Sequence, residues 1–423
     1  MGRAWVWAGL AVVCAACDGR AETDVDGGAR QDAGDAAADA ASLEDGGAAT
    51  CLEQLAERRV ALDPMGPLTQ IHPEVLFDGE AIWVVYSRPE PGGGNFDVWA
   101  TRRACDGSVL VAPFLVSADP AGNDVDPSIA ASGETLLIAW VTDDGSGGMG
   151  NLQIRSRTFA RDGAPRDATD RTLRTSFEGA PVLDSHLGAA LVARPGGGFV
   201  LAGTRAVPDR LRFSVYAQDL GLDGALEAEA REPAPEVLVS HTSAAIAIDA
   251  AGGRWLVFDR APDDGATHVR LDRLDGSESA PVEEGLASSG GADALAHAGA
   301  VHVAYAGEVA GEVDVRIVDA TRPLAERVAR VIGERGRVEH SPRLAGGGDA
   351  VAVAYFRQVR GFSNDLFVAS VTDPDLAPVL VDTPVPAYAP AITHVLGDYW
   401  FVSYAIGDSP SFRLVGRFVR LAR

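Results

Sequence analysis

From Cys51 onward, short apolar runs alternate with turns rich in Gly, Asp and Pro. No long stretch repeats its apolar residues with the 3.6-residue period of a helix. Strand-length apolar segments between turn residues are typical of an all-β protein. One unit has the sequence IHPEVLFDGEAIWVVYSR and, after a loop, FDVWATRR; HSPRLAGGGDAVAVAYFR and NDLFVASV repeat it later. The pattern therefore predicts an all-β fold made of repeated multi-stranded units.

Two positions mark the repeat. An aromatic residue recurs near the end of the second strand, with glycine in one copy: Tyr86, Trp140, Gly203, Phe258, Tyr305, Tyr355 and Tyr404. Ten to fourteen residues later an aliphatic residue opens the third strand: Val98, Ile154, Val215, Val269, Val315, Leu366 and Leu414. Units of this length hold four short strands, and radial stacking would cover both faces of each unit. The sequence predicts a seven-bladed β-propeller.

The two ends of the chain are predicted to share one blade. The last unit stops at Arg423 after its third strand, GRFVRLAR, whereas the segment RRVALDPMGP resembles the fourth strand of the first unit, FLVSADPAGN. A strand near Val60 would then complete the last blade and cover an edge that otherwise invites aggregation. Two β-sandwiches, or a ring of six or eight blades, are the alternatives.

Residues 1–17 have the character of a signal peptide. Arg3 precedes a compact apolar run from Trp5 to Val13, which is about half of the ~20 residues that a membrane span needs. The segment Cys14-Ala15-Ala16-Cys17 resembles a lipobox, and this resemblance implies lipidation of Cys17. The departure is Cys14, where that family prefers leucine. An ordinary secretory signal is the alternative.

Residues 18–50 form an acidic segment rich in Ala, Gly and Asp, in which Val25 and Leu43 are the only large apolar side chains. Such a segment cannot bury enough apolar surface to offset its ordering entropy, so it is predicted to be disordered. It would act as a spacer between a lipid anchor and a propeller domain over residues 51–423. The expected localisation is an exported, membrane-anchored lipoprotein of the bacterial envelope, on the periplasmic side or the cell surface.

The charge of the chain limits its partners. The net charge is -24, from 60 acidic and 36 basic residues, and every basic residue is arginine. An acidic field repels phosphate backbones, so no nucleic-acid partner is expected. With its lipobox-like segment and its strand repeats, the chain resembles the secreted β-propeller lipoproteins of GC-rich bacteria. The resemblance implies the fold and no single activity, because propellers serve as binding platforms, scaffolds and glycosidases alike.

With Cys17 lipidated, Cys51 and Cys105 remain. Export exposes them to an oxidising compartment, so a disulfide between them is predicted, with two free thiols as the alternative. The bridge would join the closing strand near Val60 to the first blade, since Cys105 follows the third strand of that blade.

Polar residues cluster where the innermost strand of each unit begins. Around the ring they are His72, Asp126, His186, His241, Asp293, His340 and Tyr388. Their offset from the strand varies by up to three residues. Imidazoles and carboxylates converging on one axis could bind a protein, peptide or glycan, or a divalent metal. The alternative is structural: polar residues here often hydrogen-bond a turn of the next blade.

Two further patterns have simpler interpretations. Arg88 with Asp97, and Arg357 with Asp365, are predicted to form cross-strand ion pairs worth about 0 to 1 kcal/mol each. A second set could hold calcium through oxygen ligands, although it lacks the spacing of a known calcium loop. This set is Asp119, Asn123, Asp124 and Asp126.

No motif for a known reaction is present. The chain has no Ser-x-Asp-x-Gly-x-Thr-Trp box of the sialidase type, no P-loop, no HExxH and no GxSxG. The leading hypothesis is a monomeric, non-catalytic propeller that binds or scaffolds a protein, peptide or glycan. One alternative is a carbohydrate-active hydrolase with two carboxylates in the channel. Another is a surface structural protein with no small ligand.

Overall fold

We describe the protein from a computed structural model. The described residues are 59–422, except for gaps at 65, 67–68, 90–93, 119–121, 144–151, 174–175, 178–179, 182–185, 208–211, 234–238, 264, 361–362, 387–389 and 409–410. The predicted signal peptide, the linker and Cys51 lie outside the described residues. No helix in the described part of the chain is long and apolar enough to span a membrane.

The chain is an all-β propeller of seven blades, as the repeat predicted. Blade 1 is β2 (Ile71–Phe77), β3 (Ile82–Pro89), β4 (Phe96–Arg103) and β5 (Val109–Leu115). Blade 2 is β6 (Asp124–Ser132), β7 (Thr135–Thr142), β8 (Gln153–Ala160) and β9 (Arg171–Leu173). A small hairpin follows, β10 (Ser176–Phe177) with β11 (Ala180–Pro181). Blade 3 is β12 (His186–Ala193), β13 (Phe199–Val207) and β14 (Arg212–Leu220), with Arg231 bridging to Ala217 in the place of a fourth strand.

The remaining blades continue the same up-and-down order. Blade 4 is β15 (Val239–Ile248), β16 (Arg254–Pro262), β17 (His268–Arg273) and β18 (Ser279–Pro281). Blade 5 is β19 (Ser288–His297), β20 (Ala300–Val309), β21 (Glu312–Asp319), a 3₁₀ helix (Leu324–Glu326) and β22 (Arg330–Ile332). Blade 6 is β23 (Glu339–Gly347), β24 (Ala350–Arg360), β25 (Ser363–Ser370) and β26 (Val379–Pro386). Blade 7 is β27 (Ala391–Leu396), β28 (Tyr399–Asp408), β29 (Ser411–Arg420) and β1 (Arg59–Ala61).

The ring closes through the shared blade. Strand β1 pairs antiparallel with β29, and Val60 lies opposite Gly416. The innermost strands follow one another around the axis, and β27 of blade 7 lies against β2 of blade 1. The predicted closing strand near Val60 is confirmed.

The hydrophobic core lies between the blades rather than within any one of them. Seven clusters of buried apolar residues each combine side chains of two adjacent blades, one for every blade-to-blade interface, and an eighth, smaller cluster also lies between blades 7 and 1. The predicted aromatic series is fully buried in the second strands, and the aliphatic series is buried in the third strands. Closed radial stacking therefore accounts for the apolar pattern of the sequence.

The exception in the aromatic series has a steric explanation. A Cβ atom on Gly203 would lie 2.7 Å from the hydroxyl oxygen of Tyr216, which sits directly opposite on β14. Tyr216 is itself fully buried. In blade 3 the aromatic ring is thus supplied by the third strand, and the second strand carries glycine because the ring needs that space.

A turn motif that the sequence analysis missed recurs between the third and fourth strands of blades 1 to 4. An aspartate side chain accepts a hydrogen bond from the backbone N–H two residues later, and a glycine between them adopts positive φ. The four Asp-Gly pairs are Asp106-Gly107, Asp162-Gly163, Asp223-Gly224 and Asp275-Gly276. The signal is the tripeptide Asp-Gly-Ser or Asp-Gly-Ala, which pre-forms a tight turn.

Buried ion pairs connect neighbouring blades. Asp63, just after β1 of blade 7, accepts a hydrogen bond from the Tyr86 hydroxyl (2.8 Å) and pairs with Arg88, both in blade 1. Glu283, beyond β18 of blade 4, binds Tyr305 and Arg316 of blade 5 in the same way. A carboxylate near the outer strand of one blade therefore holds a tyrosine and an arginine of the next blade.

The predicted Arg–Asp pairs have the expected register but different ionic partners. Arg88 lies opposite Asp97, and Arg357 lies opposite Asp365. The salt bridges of the two arginines lead elsewhere: Arg88 pairs with Asp63, and Arg357 pairs with Glu339 and Glu334. Asp63 and Glu334 lie in segments that connect blades, whereas Glu339 lies opposite Arg357 on β23 of the same blade.

We expect Asp63→Asn to lower the free energy of unfolding by about 3 kcal/mol, because it leaves the buried Arg88 guanidinium without its counter-charge. The Asp63 and Arg88 side chains are only 3% and 8% exposed. Urea denaturation of the purified protein measures the change. Asp263→Asn is the matched control, since Asp263 forms a salt bridge with Arg212 at the surface and should change stability little. Equal effects of the two substitutions would contradict a stabilising role for the blade-to-blade pair.

Candidate functional site

The first strand of a blade has no hydrogen-bonded neighbour on its inner side, and its beginning is irregular. In blades 1 to 6 the register between the first and second strands shifts there, as in a β-bulge. One residue in each bulge has positive φ: His72, Asp126, Gly188, Ser243, Gly291 and Ser341. We call this the bulge position. Four of the six residues are not glycine, although that conformation is strained for a residue with a side chain.

The bulge position divides the predicted polar set into four groups. His72 and Asp126 occupy the bulge position itself, and His340 precedes it by one residue. His186 and His241 precede it by two residues, whereas Asp293 follows it by two. Tyr388 lies outside the described residues. The set predicted as one ring therefore consists of residues with different local geometries.

His186 and His241 are buried inside their blades, 3% and 4% exposed. The Nδ1 atom of His186 lies 2.9 Å from the Tyr216 hydroxyl oxygen. The His241 ring packs against the Phe258 ring at 4.8 Å between centroids. Burial, reinforced by the nearby Arg205, lowers the pKa of His186 to about 4, so this imidazole is neutral at pH 7. Both side chains pack within the protein and are remote from a soluble ligand.

The position two residues before the bulge is polar and buried in blades 1 to 6. Its residues are Gln70, Asp124, His186, His241, Ser289 and Glu339. Gln70 accepts a hydrogen bond from the backbone N–H of Leu414 in blade 7 (2.9 Å), and Ser289 accepts one from Val269 in blade 4 (2.7 Å). These two side chains join the start of one blade to the third strand of the blade before it. The sequence-based alternative was a hydrogen bond to a turn of the next blade, whereas these two bonds reach the third strand of the preceding blade.

His340 has an intermediate environment. Its Nε2 atom lies 3.1 Å from Asn364 Oδ1, and its Nδ1 atom lies 3.0 Å from Ser341 Oγ. The ring also packs against Phe356 within blade 6. Burial lowers the pKa of His340, although the hydrogen bond with Asn364 acts in the opposite direction. His340 therefore orients Ser341 at the bulge position while it packs on its own blade.

A charged cluster occupies the end of the channel where the first strands begin, which we call the channel mouth. His72 of blade 1 and Asp126 of blade 2 form an ion pair, with Nδ1 and Oδ1 2.6 Å apart and side chains 22% and 40% exposed. Two residues beyond the bulges, Glu74 of blade 1, Asp293 of blade 5 and Arg343 of blade 6 complete the cluster. Arg343 interacts electrostatically with the carboxyls of Glu74, Asp126 and Asp293. Charges from four blades thus converge across the axis.

The carboxyls of the channel mouth titrate differently. Burial raises the pKa of Glu74 to about 7; the Asp293 charge adds to this rise and Arg343 opposes it. Burial likewise raises the pKa of Asp293. Burial acts on Asp126 in the same direction, but His72 and Arg343 outweigh it and lower the pKa of Asp126. At neutral pH the cluster therefore holds an ionised Asp126 and a Glu74 that is close to half protonated.

The pKa values of His72, within the cluster, and of Asp259, beside the blade 5 bulge, are also shifted. Burial disfavours the charged form of His72, but Asp126 outweighs burial and raises the pKa of His72. Asp259 on β16 accepts hydrogen bonds from the backbone N–H of Gly291 at 3.1 Å, and burial raises its pKa to about 6. Asp259 therefore adds a further carboxyl beside the blade 5 bulge.

Sequence reasoning missed Glu74, Arg343 and Asp259. A usable signal for the first two was present. In three blades the bulge residue is followed by proline and then by the residue that continues the strand: His72-Pro73-Glu74, Asp126-Pro127-Ser128 and Ser341-Pro342-Arg343. Counting from that proline aligns blades 1, 2 and 6 and places Glu74 and Arg343 in the same register, whereas blade 5 has Ala292 in place of the proline. Asp259 has no such signal, because it lies on a second strand.

No group of three or more His, Cys, Asp or Glu side chains is arranged to hold a metal ion within the described residues. Of the predicted calcium set, Asp119 lies outside those residues, and Asn123 Nδ2 donates a hydrogen bond to Asp143 Oδ2 (2.9 Å). Asp124 is fully buried and Asp126 pairs with His72. A divalent metal or calcium therefore stays a prediction from sequence.

A separate cleft of about 630 Å³ opens at the opposite ends of the first strands, between blades 2 and 3. The turn between β6 and β7, the turn between β12 and β13, Arg166 and Leu222 line it. None of the predicted site residues contributes to this cleft. Arg166 there donates hydrogen bonds to the Thr135 hydroxyl and to the Glu134 carbonyl oxygen.

No protein-family model matches the chain, and no curated protein matches it in sequence. Among solved structures it is similar to a protein of unknown function from Dyadobacter fermentans, at 13% identity and a TM-score of 0.53, over 87% of this chain and 99% of that one. It is also similar to a puromycin hydrolase, at 17% identity and a TM-score of 0.52, over 85% of this chain and 54% of that one. A Trypanosoma rangeli sialidase aligns at 11% identity and a TM-score of 0.48, over 84% and 70% of the two chains.

At these identities the similarity extends to the fold alone. The chain spans about half the length of the puromycin hydrolase. The comparisons therefore show the β-propeller fold alone, and only the residues of the channel mouth themselves bear on its chemistry.

We expect His186 to make stability depend on pH in a way that a ligand-facing histidine would not. Its pKa is about 4 in the folded protein, against 6.5 for an exposed histidine, so between these values the unfolded chain binds more protons. Its contribution is fully present above about pH 6.5 and is lost as pH falls towards 4, by about 3 kcal/mol. Comparing urea denaturation of the wild type and His186→Gln at pH 7 and 4.5 isolates this term. The wild type should lose more stability than the variant, and equal losses would show that His186 is not buried in neutral form.

Proposed function

We propose that this protein is a non-catalytic binding propeller that takes a polar ligand, part of a protein, peptide or glycan, at the channel mouth. We further propose that a lipid on Cys17 and the linker over residues 18–50 tether it to a membrane of the bacterial envelope. The ligand contacts would come from His72, Glu74, Asp126, Asp293 and Arg343. His186 and His241, which the sequence also suggested, have structural roles in this proposal.

One observation carries the proposal: charged side chains of four different blades converge on the axis of the ring. Burying ionisable groups together costs free energy, and residues strained at positive φ cost more. The fold does not require a strained residue with a side chain at the bulge position, because glycine occupies it in blades 3 and 5. Strain and clustered charge that the fold does not need are typical of functional sites.

A disulfide between Cys51 and Cys105 is part of the proposal. Cys105 lies half-buried in the turn between β4 and β5, beside the core shared by blades 7 and 1. The same turn packs on β1, because a Cβ atom on Gly107 would lie 2.8 Å from Val60 Cγ2. Cys51 precedes β1 by eight residues, a distance that the chain can span. The bridge would hold the closing strand on the ring in an oxidising compartment.

We expect peptides or glycans that bind this protein to raise its melting temperature, because a ligand that binds only the folded state stabilises it by mass action. A thermal-shift screen of the purified protein identifies such ligands. Each hit should lose about tenfold or more in affinity with the double variant His72→Gln, Glu74→Gln, since both groups are proposed contacts.

Glu134→Gln is the matched control, because Glu134 is a largely exposed carboxylate at the opposite end of blade 2. A second control is Arg166→Gln in the cleft between blades 2 and 3. If ligands still bind the double variant but no longer bind Arg166→Gln, the binding site lies in that cleft, and the proposal is overturned.

A carbohydrate-active hydrolase is the second candidate, and a specific observation favours it. Glycoside hydrolysis needs one carboxyl that is protonated at working pH and a second that is ionised. Burial brings the pKa of Glu74 to about 7, whereas His72 and Arg343 lower the pKa of Asp126 against the effect of its burial. Glu74 would serve as the general acid and Asp126 as the base or nucleophile.

If the protein is a hydrolase, chromogenic glycosides should be cleaved with a rate that falls above about pH 7, as Glu74 loses its proton. Glu74→Gln and Asp126→Asn should each reduce kcat by at least a hundredfold, because each removes one of the two catalytic carboxyls. Activity that survives both substitutions would exclude this mechanism. Absence of cleavage across a panel of α- and β-linked substrates would favour the binding function.

A further inference from the structure

The bulge residues of blades 1 and 2 contact each other. His72 and Asp126 both occupy the bulge position at φ 51°, and His72 Nδ1 lies 2.6 Å from Asp126 Oδ1. In blades 3 to 6 the bulge position holds uncharged residues: Gly188, Ser243, Gly291 and Ser341. Among the described bulges, an ion pair therefore joins those of blades 1 and 2 alone.

The backbone at both residues is restricted. A left-handed conformation is uncommon for a residue with a side chain, although Asp and His tolerate it better than most. A proline follows each of them, Pro73 and Pro127, and the proline ring restricts the residue before it. Such conformations persist where the surrounding structure holds them. The ion pair therefore connects two restricted bulges directly.

The charge on His72 depends on Asp126. Burial disfavours the protonated imidazole, but the Asp126 carboxylate outweighs burial and raises the pKa of His72. His72 and, from β23, Arg343 lower the pKa of Asp126 against the effect of its burial. Glu74, on the same strand as His72, and Asp293 on β19 interact with Arg343. The pair is therefore charged between the lowered pKa of Asp126 and the raised pKa of His72.

Other titratable groups on the strands packed against β2 and β6 have partners of their own. Arg88 on β3 pairs with Asp63. His394 on β27 lies with its Nε2 atom 2.8 Å from a backbone carbonyl oxygen of its own turn. His186 on β12 contacts the Tyr216 hydroxyl. The contact between His72 and Asp126 is therefore separate from these interactions.

We propose that His72 and Asp126 form a pH-sensitive latch between blades 1 and 2 at the channel mouth. While His72 is protonated, the ion pair holds the two bulges together. When His72 loses its proton, this attraction ends and the two bulges can move independently. The latch goes beyond the proposed binding function because it requires no ligand. Its tests use none, so either proposal can fail without the other.

The composition of the chain makes this titration observable. The basic residues are all arginine and there are eight histidines, so few groups other than histidine titrate between pH 6 and 10. Burial lowers the pKa of His186, His302 and His340, so His72 should titrate at a higher pH than these three. Burial also raises the pKa of five tyrosines: Tyr86, Tyr216, Tyr305, Tyr355 and Tyr404.

The first test is an NMR titration of the histidine ring protons in the full chain, with His72 assigned by its absence from His72→Gln. We expect wild-type His72 to titrate above pH 6.5. In Asp126→Asn burial acts alone, so the midpoint should fall below 6.5, a shift of about one unit or more. Asp263→Asn at the surface should leave the midpoint unchanged. Equal midpoints in Asp126→Asn and the wild type would overturn the proposal.

A double-mutant cycle tests whether the pair joins the blades through charge. The raised pKa of His72 gives stability that is present below pH 6.5 and is lost as pH rises through the pKa of the folded state. The lowered pKa of Asp126 gives stability that is present above pH 3.8 and is lost as pH falls through the pKa of the folded state. Both contributions are therefore present at pH 6.

At pH 6, Asp126→Asn should lower the urea midpoint of the wild type more than that of His72→Gln. This difference should disappear two pH units above the measured His72 midpoint. An equal difference at both pH values would overturn the latch, because the coupling would then come from contact rather than charge. Absence of coupling at both values would overturn it as well.

Hydrogen exchange measures the release itself. Amides in residues 70–77 and 123–132 should exchange about tenfold faster above the His72 midpoint than below it, after correction for the intrinsic effect of pH. In Asp126→Asn their exchange should already be fast at pH 6. Amides in residues 300–309 of blade 5 are the control and should not change. Equal protection of the two bulges on both sides of the midpoint would show that His72 titrates without releasing them, and the latch would be overturned.

Discussion

The structure depends on one constraint: a blade can bury its two faces only against its neighbours. Every cluster of the core lies between two blades, so no blade is complete until both of its neighbours are in place. This requires closure of the ring, and closure requires β1 to pair with β29 across the full length of the chain. The same constraint directs the strongest polar contacts to the joints, where Asp63 and Glu283 each bind a tyrosine and an arginine of the following blade.

Closure also creates the site. Seven first strands meet around an axis, where each has no hydrogen-bonded partner on its inner side. In blades 1 to 6 a bulge turns the backbone at this edge, and the residue two positions later then continues the strand beside the channel. Glu74, Asp293 and Arg343 occupy this later position in three blades, while alanine occupies it as Ala190 and Ala245. Only some blades therefore carry a charged residue at this position, and the fold of a blade does not require one.

The fold could be predicted from sequence because it rests on patterns that repeat. The aromatic and aliphatic positions recur in seven units, so the repeat could be recognised despite loops of different length. The one unit without the aromatic residue has Gly203 there, because the Tyr216 ring occupies that space. The site could be predicted only in part, because the environment of a side chain here changes with a shift of one or two residues relative to the bulge. His72 and His241 both lie where a first strand begins, but one is at the bulge position and the other is two residues before it. Because of that difference, His72 forms an ion pair with Asp126 at the channel mouth, whereas the His241 ring is buried within its blade. The backbone dihedral angles show which of the two positions each residue occupies.

The same physical chemistry underlies both candidate functions of the channel mouth. Crowding carboxyls in a buried site raises the pKa of Glu74, and a fixed cation beside Asp126 lowers another. Such a divergence suits acid–base catalysis, but structural ion-pair networks and binding sites also perturb pKa values. The two situations differ in the role of Arg343. In a catalytic site the guanidinium would help His72 to hold the pKa of Asp126 down, whereas in a binding site it would be one of the charges that face the ligand. Arg343 is therefore the residue whose substitution best distinguishes the two functions.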